Sequence, residues 1–161
     1  METKNNKQVN VFLADDDSDD RELFLEAINE AKLPMNFISF RDGDELMNHL
    51  YERENINPDI IFLDINMPLK NGKECLADIR SSTNWNHVPV VMFSTSLNQD
   101  DIADTYKLGA NLFISKPSNF ASQIEIFRYV FSLYHEQKLI GTPFADFLLT
   151  ASMPINPAFR M

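Results

Sequence analysis

Polar side chains that could do chemistry follow four apolar runs of the chain. They are Asp15-Asp16-Asp17, Asp64, Ser94-Thr95 and Lys116 with Pro117. Asp64 is the most conspicuous, because it ends an apolar run of four residues and is followed at once by a Met-Pro turn. Polar groups in a parallel α/β sheet gather at the carboxyl ends of the strands, where the loops face one crevice. If the strands lie side by side, the four stretches therefore share one pocket.

The chemistry of such a pocket follows from its charges. Carboxylates brought this close repel one another and raise a pKa unless a cation lies between them. Oxygen ligands without a nearby His or Cys pairing favour Mg²⁺ over zinc or copper, and Mg²⁺ often shares its coordination with a phosphate. With the ammonium of Lys116 and the hydroxyl of Ser94 aimed at the same place, the arrangement suits phosphoryl transfer onto Asp64.

Five short apolar runs alternate with five amphipathic segments, which predicts a parallel sheet with helices on both faces. The predicted strands are Val9–Ala14, Asn36–Phe40, Asp59–Asp64, Val88–Phe93 and Asn111–Ser115. The predicted helices begin at Ser18, at Asp42 to Asp44, at Asn71, near Asn98 and before Ile124. The apolar stripe of the first helix comprises Leu23, Phe24, Ala27, Ile28 and Ala31. The fourth helix has the thinnest stripe, with Ile102, Tyr106 and Leu108.

Taken in order, these motifs resemble the receiver domain of two-component response regulators over about Val9 to Tyr134. The motifs are DD at Asp15 and Asp16, LDINMP…G around Asp64, PVVMFS ending at Ser94, and SKP at Lys116-Pro117. The resemblance implies a flavodoxin-like (βα)5 fold with strand order 2-1-3-4-5. It also implies a phosphoryl group received from a phosphohistidine on a sensor histidine kinase or a histidine phosphotransfer protein. The stretches DDRELF and FSTS most resemble the stand-alone receivers of phytochrome-type kinases.

The resemblance implies an acceptor and a metal site. Asp64 matches the phosphoacceptor of the family. Asp15 and Asp16 match the acidic pair that binds Mg²⁺, and Asn66 matches the position that offers a backbone carbonyl to the metal.

Three further positions match the phosphate contact and the switch of the family. Lys116 matches the lysine of the family, with a cis bond to Pro117. Ser94 and Phe113 match the switch hydroxyl and the switch aromatic. In the family, phosphorylation moves these two side chains and reshapes the face of the fourth helix, fifth strand and fifth helix.

Length and charge narrow the possible functions. The 161 residues suit one domain, with a receiver at 8–135 and a C-terminal extension at 136–161 that packs on the domain or forms a dimer contact. The net charge of −10 opposes binding to nucleic acid or to an anionic membrane. One cysteine and the lack of an apolar N-terminal segment predict a cytoplasmic protein. We expect a monomer or a weak homodimer with a downstream protein partner that the sequence does not identify.

The main alternative is an enzyme, a phosphatase that forms an aspartyl phosphate. Such enzymes generally need a second acid two residues after the nucleophile to protonate the leaving group. That position holds Asn66, which cannot act as an acid, so the sequence predicts a switch and not an enzyme. A transcription factor with the tail as its output is opposed by charge and length, and a degenerate scaffold by the presence of every required residue type.

Overall fold

The structure is a computed structural model that describes residues 7–52 and 54–152, and it contains a six-stranded sheet with helices on both faces. The strands are β1 (Val9–Ala14), β2 (Met35–Phe40), β3 (Ile60–Leu63), β4 (Val90–Ser94), β5 (Leu112–Ser115) and β6 (Leu148–Leu149). The α-helices are α1 (Ser18–Ala31), α2 (Gly43–Tyr51), α3 (Gly72–Ser81), α4 (Gln99–Leu108) and α5 (Phe120–His135). A short 3-10 helix, Phe144–Asp146, precedes β6.

The strand order is β2-β1-β3-β4-β5-β6, and each neighbouring pair is parallel. The order predicted for the first five strands is confirmed. The chain passes from β1 to β2 on one side of the sheet and from β3 onward toward the other side, so the strand order switches direction between β1 and β3. A crevice opens at the carboxyl ends of the two strands that flank such a switch point. The fold therefore places the ends of β1 and β3 at the natural position for a site.

The strands are apolar on both faces because helices cover both faces. On one side, α1 and α5 pack together, with the rings of Phe24 and Phe127 4.4 Å apart. On the other side, α2, α3 and α4 contribute Leu46, Leu76 and Ile102 to a second cluster. The stripe predicted for α1 is correct except at Leu23, which is 42% exposed because the inner face centres on Phe24. None of the helices in the described ranges has the length and apolarity needed to span a bilayer.

The chain after α5 returns to the sheet and adds its sixth strand. Leu148 lies opposite Phe113, and the Phe113 N–H donates a 2.8 Å hydrogen bond to the carbonyl oxygen of Phe147. Phe147 is fully buried, with its ring 5.1 Å from that of Tyr106. Tyr106, on the thin apolar stripe of α4, therefore packs against this segment.

The segment before β6 is helical only in part. Phe144–Asp146 forms a 3-10 turn, whereas Leu148 belongs to a strand. The reason is that the open edge of β5 offers unpaired backbone groups to the segment.

Candidate functional site

Three carboxylates meet at the ends of β1 and β3. Asp15 and Asp16 lie in the loop between β1 and α1, and Asp64 follows β3 directly. One oxygen from each lies within 4.8 Å of the others. Asp15 is fully buried and Asp64 is 7% exposed, whereas Asp16 is open to solvent. The pairing of β1 with β3 causes this convergence, because the Asp64 N–H donates to the carbonyl of Ala14 at 3.0 Å.

The ammonium of Lys116 completes the group. Its Nζ lies 2.8 Å from Asp15 Oδ2, 2.9 Å from Asp20 Oδ2 and 3.3 Å from Asp64 Oδ2. Burial by itself lowers the pKa of Lys116, but the hydrogen bonds to Asp15 and Asp20 and the charge of Asp64 raise it above its usual value. The lysine is therefore a permanent cation within this pocket.

Burial in this pocket also changes the pKa of Asp15. Removal from water raises the pKa of its carboxyl from 3.8 to about 6, and the nearby charge of Asp64 acts in the same direction. Hydrogen bonds from Lys116 and from the backbone N–H of Asp17 lower the pKa and offset part of that effect. A further cation beside Asp15 would favour its charged form.

Asp64 is held in place by its own backbone surroundings. Its Oδ1 accepts a 2.8 Å hydrogen bond from the N–H of Ile65. Gly72 approaches so closely that an added Cβ would overlap the carbonyl oxygen of Asp64. The Gly72 N–H also donates to the carbonyl of Ile65 at 2.9 Å. A glycine at this position therefore allows the start of α3 to close the loop under Asp64.

The other predicted residues lie at different depths. Ser94 ends β4 and is fully buried, and its Oγ accepts a hydrogen bond from the Ser96 N–H at 3.2 Å. The Lys116 N–H donates to the Ser94 carbonyl at 2.8 Å, so the serine and the lysine sit on adjacent strand ends. Asn66 is exposed in the loop two residues after Asp64. Phe113 is fully buried in β5 and lies farther back in the sheet, opposite Met92.

The expected cis bond between Lys116 and Pro117 is wrong. No peptide bond among the described residues is cis. The trans form of a bond before proline is favoured by about 0.5–1 kcal/mol. With the trans bond, the ammonium of Lys116 contacts Asp15, Asp20 and Asp64.

The sequence reasoning missed Asp20, which binds the lysine as closely as Asp15 does. A signal was present, because Asp20 lies four residues before Phe24 and eight before Ile28, two residues of the buried face of α1. Residues at this spacing share one side of a helix. An acid on the inner face of the first turn, at the carboxyl edge of the sheet, must point toward the site.

Comparison with known proteins agrees with this geometry. The family model described as the response regulator receiver domain matches residues 11–128. The chain belongs to this family. It is similar to the response regulator Rcp1 of Synechocystis sp., with 30% identity over 140 residues, which cover 84% of this chain and 95% of Rcp1.

Two solved structures extend the similarity. The phosphorylated cyanobacterial phytochrome response regulator RcpA has a TM-score of 0.74 and 34% identity, covering 81% of this chain and 96% of RcpA. The Mn²⁺-bound form of Rcp1 has a TM-score of 0.72 and 28% identity, covering 84% of this chain and 99% of that one. The likeness predicted to phytochrome-type receivers is thus confirmed, as is the flavodoxin-like fold.

The family places the chain in phosphorylation-dependent two-component signalling. Receivers of this family take phosphoryl groups from histidine kinases, interact with downstream proteins, and bind Mg²⁺ or Mn²⁺ at an acidic pocket. Among the described residues, Asp15, Asp16 and Asp64 form a cluster of carboxylates at the carboxyl edge of the sheet.

Proposed function

We propose that this receiver accepts a phosphoryl group from a phosphohistidine onto the carboxylate of Asp64. The observation that carries the proposal is the position of Asp64, at the end of a buried strand and between two further acids and a buried ammonium. Its place at the open end of the crevice leaves it within reach of a donor. The donor class is a sensor histidine kinase or a histidine phosphotransfer protein.

The donor set of the pocket fits Mg²⁺. The three clustered carboxylates are hard oxygen ligands, and they are the type that Mg²⁺ selects. Asp15, Asp16 and Asp64 would hold the ion, together with the backbone carbonyl of Asn66. Bound there, Mg²⁺ supplies positive charge that balances the carboxylates and the phosphoryl oxygens.

Three side chains of the site, those of Asp64, Lys116 and Ser94, have separate roles in the transfer. An oxygen of Asp64 forms a bond to phosphorus while the bond from phosphorus to the imidazole nitrogen breaks, and that nitrogen keeps the electron pair. The Lys116 ammonium donates a hydrogen bond to one phosphoryl oxygen. Ser94 already accepts from Ser96 through its Oγ, so its own proton is available for a second phosphoryl oxygen.

The response to phosphorylation is a change in an interaction surface. Ser94 and Phe113 lie on neighbouring strands, and Phe113 contacts the segment that carries Phe147. Movement of Ser94 toward the phosphoryl group would therefore change the packing of α4, β5, α5 and the segment at 136–152. The output is binding to a downstream protein and not catalysis, and the receiver at 8–135 acts as a monomer or a weak homodimer. Its single cysteine and its family support a cytoplasmic location.

The test compares the wild type with Asp64→Asn in acetyl phosphate and Mg²⁺, followed by intact-mass measurement. We expect the wild type to gain the mass of one phosphoryl group and Asp64→Asn to gain none. Asp59→Asn is the matched control, because Asp59 lies at the opposite end of β3 and accepts from the Asn10 N–H. Absence of the adduct in the wild type would refute the proposal, and Asp64-dependent turnover of an aryl phosphate would show an enzyme instead.

A further inference from the structure

The ammonium of Lys116 is shared among carboxylates from three separate elements. Asp15 comes from the loop after β1, Asp20 from the first turn of α1, and Asp64 from the end of β3. A lysine ammonium has three N–H donors. Three carboxylate contacts therefore occupy its full donor capacity.

Asp20 differs from the other two acids in its surroundings. Its side chain is 33% exposed, whereas that of Asp15 is fully buried and that of Asp64 is 10% exposed. It also lies outside the cluster of three carboxylates that could hold a metal ion. Its contact with Lys116 is nevertheless 0.4 Å shorter than that of Asp64, 2.9 Å against 3.3 Å. The lysine is therefore held toward α1.

A phosphoryl group on Asp64 changes the hydrogen bonds that Lys116 must make. One of the phosphoryl oxygens takes the place of Asp64 Oδ2 as the acceptor of an N–H from Lys116, and any shift of the ammonium toward that oxygen lengthens its contact with Asp15 or with Asp20. Loss of the cation would leave Asp15 as an unpaired charge in a fully buried position, which is costly. Asp20 can be solvated when released, because a third of its side chain already faces water. Of Asp15 and Asp20, it is therefore Asp20 that can yield when Lys116 shifts toward the phosphoryl group.

We propose that Asp20 is a positioning residue that draws Lys116 toward α1 in the unphosphorylated receiver and so weakens the affinity of the Asp64 site for a phosphoryl group. The inference rests on the proposed function, because it assumes that Lys116 contacts a phosphoryl group on Asp64. Two effects act in the same direction. Asp20 competes for one N–H of the ammonium, and its negative charge repels the incoming anion.

The test measures binding of beryllofluoride, a mimic of the phosphoryl group, in Mg²⁺ by calorimetry and by ¹⁹F NMR. Asp20→Asn keeps the shape of the side chain and removes its charge. We expect it to bind beryllofluoride about three- to tenfold more tightly than the wild type. Asp19→Asn is the matched control, because Asp19 is also an acid in the first turn of α1 but is exposed. Its affinity should change by less than about twofold, since exposed charges are screened by salt.

A second measurement separates positioning from damage to the pocket. Removing the charge of Asp20 leaves Lys116 closer to the remaining acids, so Mg²⁺ titrated without beryllofluoride should bind more weakly to Asp20→Asn. Tighter anion binding with weaker Mg²⁺ binding supports the inference, since a distorted pocket would weaken both. Asp20→Glu, which keeps the charge, should restore affinity toward the wild-type value.

The inference fails if Asp20→Asn binds beryllofluoride no more tightly than Asp19→Asn does. That result is distinct from failure of the proposed function. If the wild type itself shows no Asp64-dependent ¹⁹F signal of bound beryllofluoride, the phosphoacceptor role is refuted, and the role of Asp20 is refuted with it.

Discussion

Phe147 anchors the segment 136–152 to the sheet, and its truncation should detach that segment. The ring is fully buried between Tyr106 and Phe113, with ring centroids 5.1 and 6.3 Å away. Truncation of a buried Phe to Ala costs about 3–5 kcal/mol. The segment is a terminal piece paired through a two-residue strand, so we expect Phe147→Ala to open locally before the domain unfolds.

The size of this opening can be worked out for one amide. The Phe113 N–H is hydrogen-bonded to the carbonyl of Phe147, so it exchanges with solvent when the segment leaves. A loss of about 3 kcal/mol raises the open population roughly 150-fold, since each 1.36 kcal/mol is a factor of ten. Hydrogen exchange followed by NMR should show a comparable acceleration at Phe113. Amides of β4, between β3 and β5, should be much less affected.

Phe144→Ala is the matched control for this experiment. Phe144 lies in the same segment and contacts the ring of Tyr106, but it is 55% exposed. Its truncation should change exchange at Phe113 far less. Unchanged exchange at Phe113 in Phe147→Ala would refute the reasoning, and so would equal acceleration in β4, because the whole domain would then open as one unit.

Three further changes test the site and its support. Gly72→Ala should destabilise the fold by about 1–3 kcal/mol in urea unfolding, because the added Cβ overlaps the backbone of Asp64. The displacement of Asp64 should also weaken Mg²⁺ binding measured by calorimetry, and unaltered metal affinity would contradict this. Asn111→Ala should cost about 2–4 kcal/mol in urea unfolding, because the side chain of Asn111 makes three hydrogen bonds, one of them accepted from the guanidinium of Arg80 at 2.8 Å. A loss below about 1 kcal/mol would contradict this. In metal-free protein, Asp15 holds its proton more tightly when folded than when unfolded, because its pKa is raised in the folded state. Its contribution to the free energy of unfolding should therefore increase by about 1–3 kcal/mol as the pH is lowered from about 7 to about 4. Urea unfolding in a chelator should show this rise in the wild type and not in Asp15→Asn, and equal pH profiles would contradict it.

The sheet and its order could be predicted because the relevant signals are local and strong. The strands Ile60–Leu63 and Val90–Ser94 are buried on both faces, and a polar residue stands at the same edge of the sheet in each case, Asp64 just after the first and Ser94 at the end of the second. Strand boundaries differ from the predictions by at most two residues, and β1 agrees at both ends; the differences arise because the ends of strands are set by pairing with neighbours. The convergence of Asp15, Asp16 and Asp64 follows from this order once β1 lies beside β3.

The missed features depend on contacts between distant parts of the chain. The pairing of Leu148–Leu149 with β5 involves too few residues to leave a periodic pattern. The role of Asp20 requires the helix to be placed over the sheet before its neighbour at Lys116 is known. Leu23 and Leu108 were assigned to apolar stripes by spacing alone, but they are 42% and 37% exposed, because the orientation of each helix decides how deeply its residues lie.

The sixth strand also determines what the side of the sheet offers to other proteins. Without it, β5 would expose unpaired N–H and C=O groups beside apolar side chains, a template on which a strand of another molecule can add. With it, the last strand of the described residues is only two residues long and gives such a strand little to pair with. The C-terminal segment therefore protects the receiver from aggregation at the edge of β5. Any mutation that loosens this segment should lower the solubility of the protein as well as its stability.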